Sequence, residues 1–137
     1  MVASRQGPVA SVRQLSSLRM RDYRELVVWQ KTHRLTLSIY TLTKSFPREE
    51  LFGLTSQLRR AATSIPSNIA EGAGRRSNAD FARFLDMAAG SCNEVEYQLL
   101  LSRDLGYLDE TEHSPLGAQL VEIRRILTRL TQKMRDT

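Results

Sequence analysis

One cysteine, one tryptophan and two histidines occur in 137 residues, and each scarcity removes a class of function. Cys92 is alone, so it closes no disulfide within the chain and builds no thiolate metal cage. A di-iron helical bundle takes a Glu-x-x-His pair from each of two helices. Neither His33 nor His113 reads as the histidine of a Glu-x-x-His pair, and neither a metal nor any other cofactor is expected. No apolar run approaches the ~20 residues that cross a bilayer, and the first residues lack the apolar stretch of a secretory signal. The expected location is the cytoplasm, with no membrane partner. Glycines and prolines are few, and no segment alternates with the period of a strand. That leaves a single helical domain with one core.

A net charge of +5 is present, but it is unevenly placed. Residues 1–21 hold Arg5, Arg13, Arg19 and Arg21 and no acid, whereas the rest of the chain carries 16 basic and 15 acidic residues. The segment MVASRQGPVASVRQLSSLRM has no sustained periodicity, and residues 1–20 read as a disordered N-terminal extension. Met20 directly precedes the first helix, so residues 1–19 fit translation from an upstream start. Residues 21–137 form the domain.

Four helices follow from apolar spacing. Val28, Leu35, Ile39, Leu42 and Phe46 make one stripe in helix one. Pro47 suits the first turn of helix two, with Glu49 and Glu50 at its positive end, and Leu51, Leu54, Leu58, Ala61, Ile65 and Ile69 form its apolar face. Ser77 to Asp80 reads as an N-cap for helix three, which buries Phe81, Phe84, Ala88, Cys92, Val95 and Leu99 and ends at Gly106. Ser114 and Pro115 open helix four, whose stripe runs Leu116, Leu120, Ile123, Leu127, Leu130 and Met134. Short connections make sequential helices antiparallel neighbours, which predicts an all-α, up-down-up-down four-helix bundle with a kinked second helix.

The stretch SIPSNIAEGAGRRS, residues 64–77, interrupts this regularity. With a hairpin turn near Arg76, Ser64 faces Ala88 and Ala61 faces Ser91, so two slim surfaces meet, with Gly90 in the contact. Pro66 removes the bond to the carbonyl of Ala62 and bends the helix. Ser64, Ser67 and Asn68 are near enough to satisfy the freed groups. Ser64, Asn68 and Glu71 share a face that could hold a ligand, but a nucleophilic serine needs a base, and neither histidine is placed beside it. Glu71 reads as a structural anion near the start of helix three. EGAGRR follows a helix and lacks the ending of a phosphate loop. Glu94 and Glu96 point to different faces, so they form no acid–base couple, and Glu94 is expected to pair with Arg59. No catalytic constellation emerges, and the chain reads as a non-enzyme.

Two surfaces stand out. Trp29, His33, Leu37 and Tyr40 make a second stripe on helix one, offset from its core stripe, which reads as an oligomer interface. Arg125, Arg129 and Lys133 recur on one side of helix four with Arg124 beside them, and Arg75 and Arg76 form a second basic cluster. Both clusters are candidate phosphate contacts.

Four motifs carry a resemblance: L-x-V-W-Q in helix one, F-P-x-E-E-x-x-G-L-x-x-Q-x-R-R-A over 46–61, S-I-P-S-N-I-A-E-G over 64–72, and F-L-x-x-A-x-G-S over 84–91. Together they make residues 21–135 resemble the bacterial four-helix-bundle proteins encoded in 23S rRNA intervening sequences. That resemblance implies a ring-shaped homopentamer without enzymatic activity. The fold is similar to that of the accessory proteins of diversity-generating retroelements, which bind nucleic acid and a reverse transcriptase. By that analogy the expected partners are further copies of the chain, RNA or DNA, and a reverse transcriptase. The function expected is a scaffold associated with nucleic acid; the alternative is a protein-binding adaptor, such as an accessory subunit of a reverse transcriptase.

Overall fold

The computed structural model describes residues 21–137; the extension expected over residues 1–20 lies outside the described residues. Four α-helices are present: α1 (Val27–Thr43), α2 (Leu54–Ala73), α3 (Asn78–Asp104) and α4 (Glu110–Asp136). Short 3-10 turns at Tyr23–Glu25 and Arg48–Glu50 precede α1 and α2, and no strand occurs among the described residues. Each helix packs on the next in sequence, and α4 returns to α1. The α2–α3 seam is the most extensive and the α1–α4 seam the thinnest. Leu35, Ile39, Leu58, Ile65, Phe81, Leu85, Leu120 and Ile123 meet at the centre, nearly all of their surface withdrawn from water.

The helix ends show why the chain turns where it does. Ser77 caps α3, its hydroxyl accepting from the amide of Asp80 at 3.0 Å. At the other end Gly106 takes φ 83°, a left-handed conformation open to glycine at little cost. There the amide of Tyr107 reaches the carbonyl of Ser102 at 2.9 Å and that of Gly106 reaches Arg103 at 2.9 Å, closing both trailing carbonyls.

Two helix starts differ from the sequence expectation. α2 begins at Leu54, not at Pro47. Pro47 and the acids form a separate 3-10 turn, and the Glu50 carboxylate accepts from the amide of Leu54 at 3.1 Å. Glu50 thus caps the helix from outside it, and Leu51 is left 46% exposed instead of joining the apolar face. α4 begins at Glu110, ahead of Ser114 and Pro115. Asp109 and Glu112 form a reciprocal capping box, at 3.0 Å and 2.9 Å, and this pair of charge-assisted bonds starts the helix before the proline is reached. Pro115 lies within α4.

Candidate nucleic-acid and assembly surfaces

The α2–α3 seam holds the stretch that raised the question of a site. The hydroxyls of Ser64 and Ser91 lie 2.6 Å apart, so Ser64 meets Ser91, where the sequence register expected Ala88. Asn68 donates through Nδ2 to the Ser64 carbonyl at 2.9 Å and to its hydroxyl at 3.2 Å. Ala61 is buried, whereas Ser67 and Glu71 are exposed. Neither histidine reaches this cluster: His33 stacks on Trp29 with centroids 5.0 Å apart, and His113 lies in the first turns of α4. The close approach sits at Gly72, not Gly90. A Cβ at Gly72 would fall 2.7 Å from Phe84 Cβ and 2.8 Å from Phe81 Cδ1, while one at Gly90 would meet nothing within 4 Å. Gly72 is buried against α3, whereas Gly90 faces outward.

The carbonyl stranded by Pro66 finds its partner in another helix. Thr36 Oγ1 on α1 lies 3.1 Å from the Ala62 carbonyl and 2.8 Å from that of Thr32, both buried. The hydroxyl that answers the proline therefore comes from α1 rather than from Ser64, Ser67 or Asn68. A lone threonine thirty positions upstream carries no mark of this pairing in the sequence; only the tertiary fold joins them.

The second stripe of α1 divides. Trp29 is partly buried, packed on the core with Tyr23 at 5.0 Å in edge-on geometry. His33 is exposed against it. Leu37 is 55% and Tyr40 42% exposed, and Arg59 sits 4.8 Å over the Tyr40 ring. Arg59 also donates to Thr43 Oγ1 at 2.7 Å, so the pair expected with Glu94 does not form. Glu96 instead holds Arg124 of α4 at 2.9 Å.

The basic residues separate by partner. Arg124 is paired with Glu96. Arg75 pairs with Asp80 at 3.2 Å and lies 4.8 Å over the Phe84 ring. Arg76, Arg125, Arg129 and Lys133 are exposed, and none of them has an ion-pair partner among the described residues. Arg125, Arg129 and Lys133 stand one helical turn apart on α4, and Arg129 and Lys133 border a depression of about 310 Å³ floored by Leu26, Val28, Ile126 and Leu130.

The spacing Glu110-x-x-His113 does occur, on the first turn of α4, but Glu110 lies 3.5 Å from Arg103. Among the described residues, no three His, Cys, Asp or Glu side chains gather as a metal would require. Cys92 is buried, and burial pushes its thiol up to about 11. No helix among the described residues is long and apolar enough to cross a membrane.

Fold and surfaces together define an all-helical bundle of four helices. The chain belongs to the family of 23S rRNA-intervening sequence proteins, whose model matches residues 24–129. It is also similar to a crystal structure from Bacteroides thetaiotaomicron described as a protein of unknown function from the S23 ribosomal protein family. That likeness has a TM-score of 0.69 at 28% identity, covering 77% of this chain and 98% of the other. A comparison with curated proteins finds no match.

Proposed function

We propose that this protein is a non-enzymatic scaffold, a ring-shaped homopentamer that holds RNA or other nucleic acid against basic stripes on α4. The observation that carries the reading is the exposed row Arg125, Arg129 and Lys133, left without acidic partners while neighbouring Arg124 and Arg135 are engaged by Glu96 and Asp86. A cation already paired must give up its carboxylate to meet a phosphate; an unpaired one exchanges only counterions and water. Repetition around a ring multiplies these contacts into a footprint that one chain lacks. Leu37 and Tyr40, apolar and exposed on α1, support the assembly part of the reading.

The test is binding of single-stranded RNA by the full chain over a range of salt concentrations. The log of affinity should fall against log salt by about 0.7 for each phosphate neutralised. An Arg125/Arg129/Lys133 triple alanine variant should weaken binding for every sequence and flatten that slope by about 2 per engaged chain. No aromatic side chain accompanies the row, so base preference should be weak. Binding unchanged in the triple variant but lost on deleting residues 1–19 would move the contact to the N-terminal arginines. No binding by the parent would leave the adaptor reading, with a protein partner such as a reverse transcriptase.

A further inference from the structure

The most exposed large apolar side chain in the described structure is Phe52, 93% accessible on the segment joining α1 to α2. Leu51 beside it is 46% accessible, and Glu49 is exposed and without an ion-pair partner. This knob stands on a fixed base. The Glu50 carboxylate caps α2 and accepts from the Tyr107 hydroxyl at 2.9 Å, while the amide of Gly53 bonds the Glu50 carbonyl at 3.0 Å. A fully wetted phenylalanine on a rigid turn does nothing for its own bundle, and its burial elsewhere would remove ~150–250 Å² of surface from water.

At the same end of the bundle, on a different side, the thin α1–α4 seam opens into a pocket of about 590 Å³. Leu37, Leu42, Pro115 and Leu116 give it apolar walls, with Thr41, Gln119 and Glu112 among its polar ones, and the Glu112 carboxylate is held by the amide of Asp109 at 2.9 Å. Lys44, exposed and without an ion-pair partner among the described residues, follows the last residue of α1 and directly precedes Ser45, which lines the pocket.

We infer that Phe52 of one copy enters the α1–α4 pocket of the next copy, with Glu49 meeting Lys44 at the rim. The inference rests on the ring reading above and names the surfaces that close it. Rotation about an axis running along the bundles leaves every residue at its own height. A knob and a recess at one end can therefore meet between neighbours all around a closed ring. A second apolar depression, floored by Leu26, Ile126 and Leu130, lies at the opposite end and is rimmed by the cations Arg129 and Lys133, and a third lies along α4 between Val121 and Arg129. Reaching the second would require stacking end to end. The contact is heterologous, since knob and pocket are different surfaces, as a ring of five demands.

Light scattering on the full chain, with thermal melts run alongside, tests this. The parent should assemble, while Phe52→Asp and Leu37→Asp each yield the 15.6 kDa chain. Both substituted positions are exposed, so the variants should keep their helical signal. Phe52→Tyr should retain assembly. Mixing the Phe52→Asp and Leu37→Asp chains should give one-to-one dimers, because such a pair keeps a single intact knob and a single intact pocket. A parent that assembles alongside a Phe52→Asp variant of unchanged size would overturn the inference and leave the ring reading standing. Loss of assembly in Val27→Asp but not in Leu37→Asp would overturn it in favour of the opposite end. A monomeric parent would overturn both.

Discussion

Gly72 and Gly90 both lie inside helices, and the same substitution should move them in opposite directions. In Gly72→Ala the new methyl lands 2.7 Å from Phe84 Cβ and 2.8 Å from Phe81 Cδ1, whereas carbon atoms rest comfortably at ~3.5–4.0 Å. Phe84 Cβ is fixed to the backbone of α3, so no rotamer change clears the overlap, and α2 and α3 must separate near their turn. Overpacking of this kind costs ~1–3 kcal/mol, against a helix-propensity gain of at most ~1 kcal/mol. Gly90→Ala meets nothing within 4 Å and should keep its gain of about 0.5–1 kcal/mol. For a domain of this size each kcal/mol moves the melting temperature by roughly 3–5 °C. The two variants should therefore differ by about 3–15 °C when melted by circular dichroism at equal protein concentration, with Gly72→Ala the lower. Equal shifts of the same sign would refute the close seam at Gly72.

Thr36→Val should cost ~1–3 kcal/mol, because it leaves the buried Ala62 carbonyl without a partner. In a Pro66→Ala background, where residue 66 regains an N–H, that cost should shrink, and additive losses in urea unfolding would count against the pairing. Cys92, with its thiol raised to about 11 by burial, should resist iodoacetamide at pH 8 in the native protein and react rapidly in urea; equal labelling rates would show an open core. Asp109 is held below the ordinary carboxylate range by the Thr111 hydroxyl and the amide of Glu112. Its contribution is then fully present above its unfolded value of 3.8 and is lost as pH falls through the lower folded value. The melting difference between the parent and Asp109→Asn should close on acidification; a constant difference would deny the cap its charge.

The fold was legible because helix period and short connections are local signals. Stripes such as Leu116, Leu120, Ile123 and Leu127 need only their own segment to be recognised, and all four are buried. Helix starts were less legible because two capping signals competed. Ser114-Pro115 is a sound local motif, but Asp109 and Glu112 precede it and close two bonds at once. The small residues point to the right pair of helices for the α2–α3 contact but to the wrong register, since residue size alone does not say which small residue is pressed and which faces out. Thr36 and Phe52 carry no local signal of their roles, for opposite reasons. The partner of Thr36 is distant in sequence, and Phe52 belongs to a turn whose exposure appears only once Glu50 caps α2 from outside.

α1 is attached to the bundle differently from the other three helices. It meets α2 through the Thr36 and Arg59 bonds, but it meets α4 across an incomplete seam where Lys31 and Glu122 lie 3.1 Å apart. Segments with the fewest buried contacts release their amide protons through partial openings that leave the remainder folded. α1 is that segment here, and hydrogen exchange should show it detaching while α2, α3 and α4 stay protected. In an assembly of identical chains, a detached α1 has an equivalent place to settle in the adjacent bundle. Residues 44–47, ahead of the turn that Glu50 anchors, would then act as the hinge, and exchange of a whole helix between subunits becomes a low-cost route to interlocked rings.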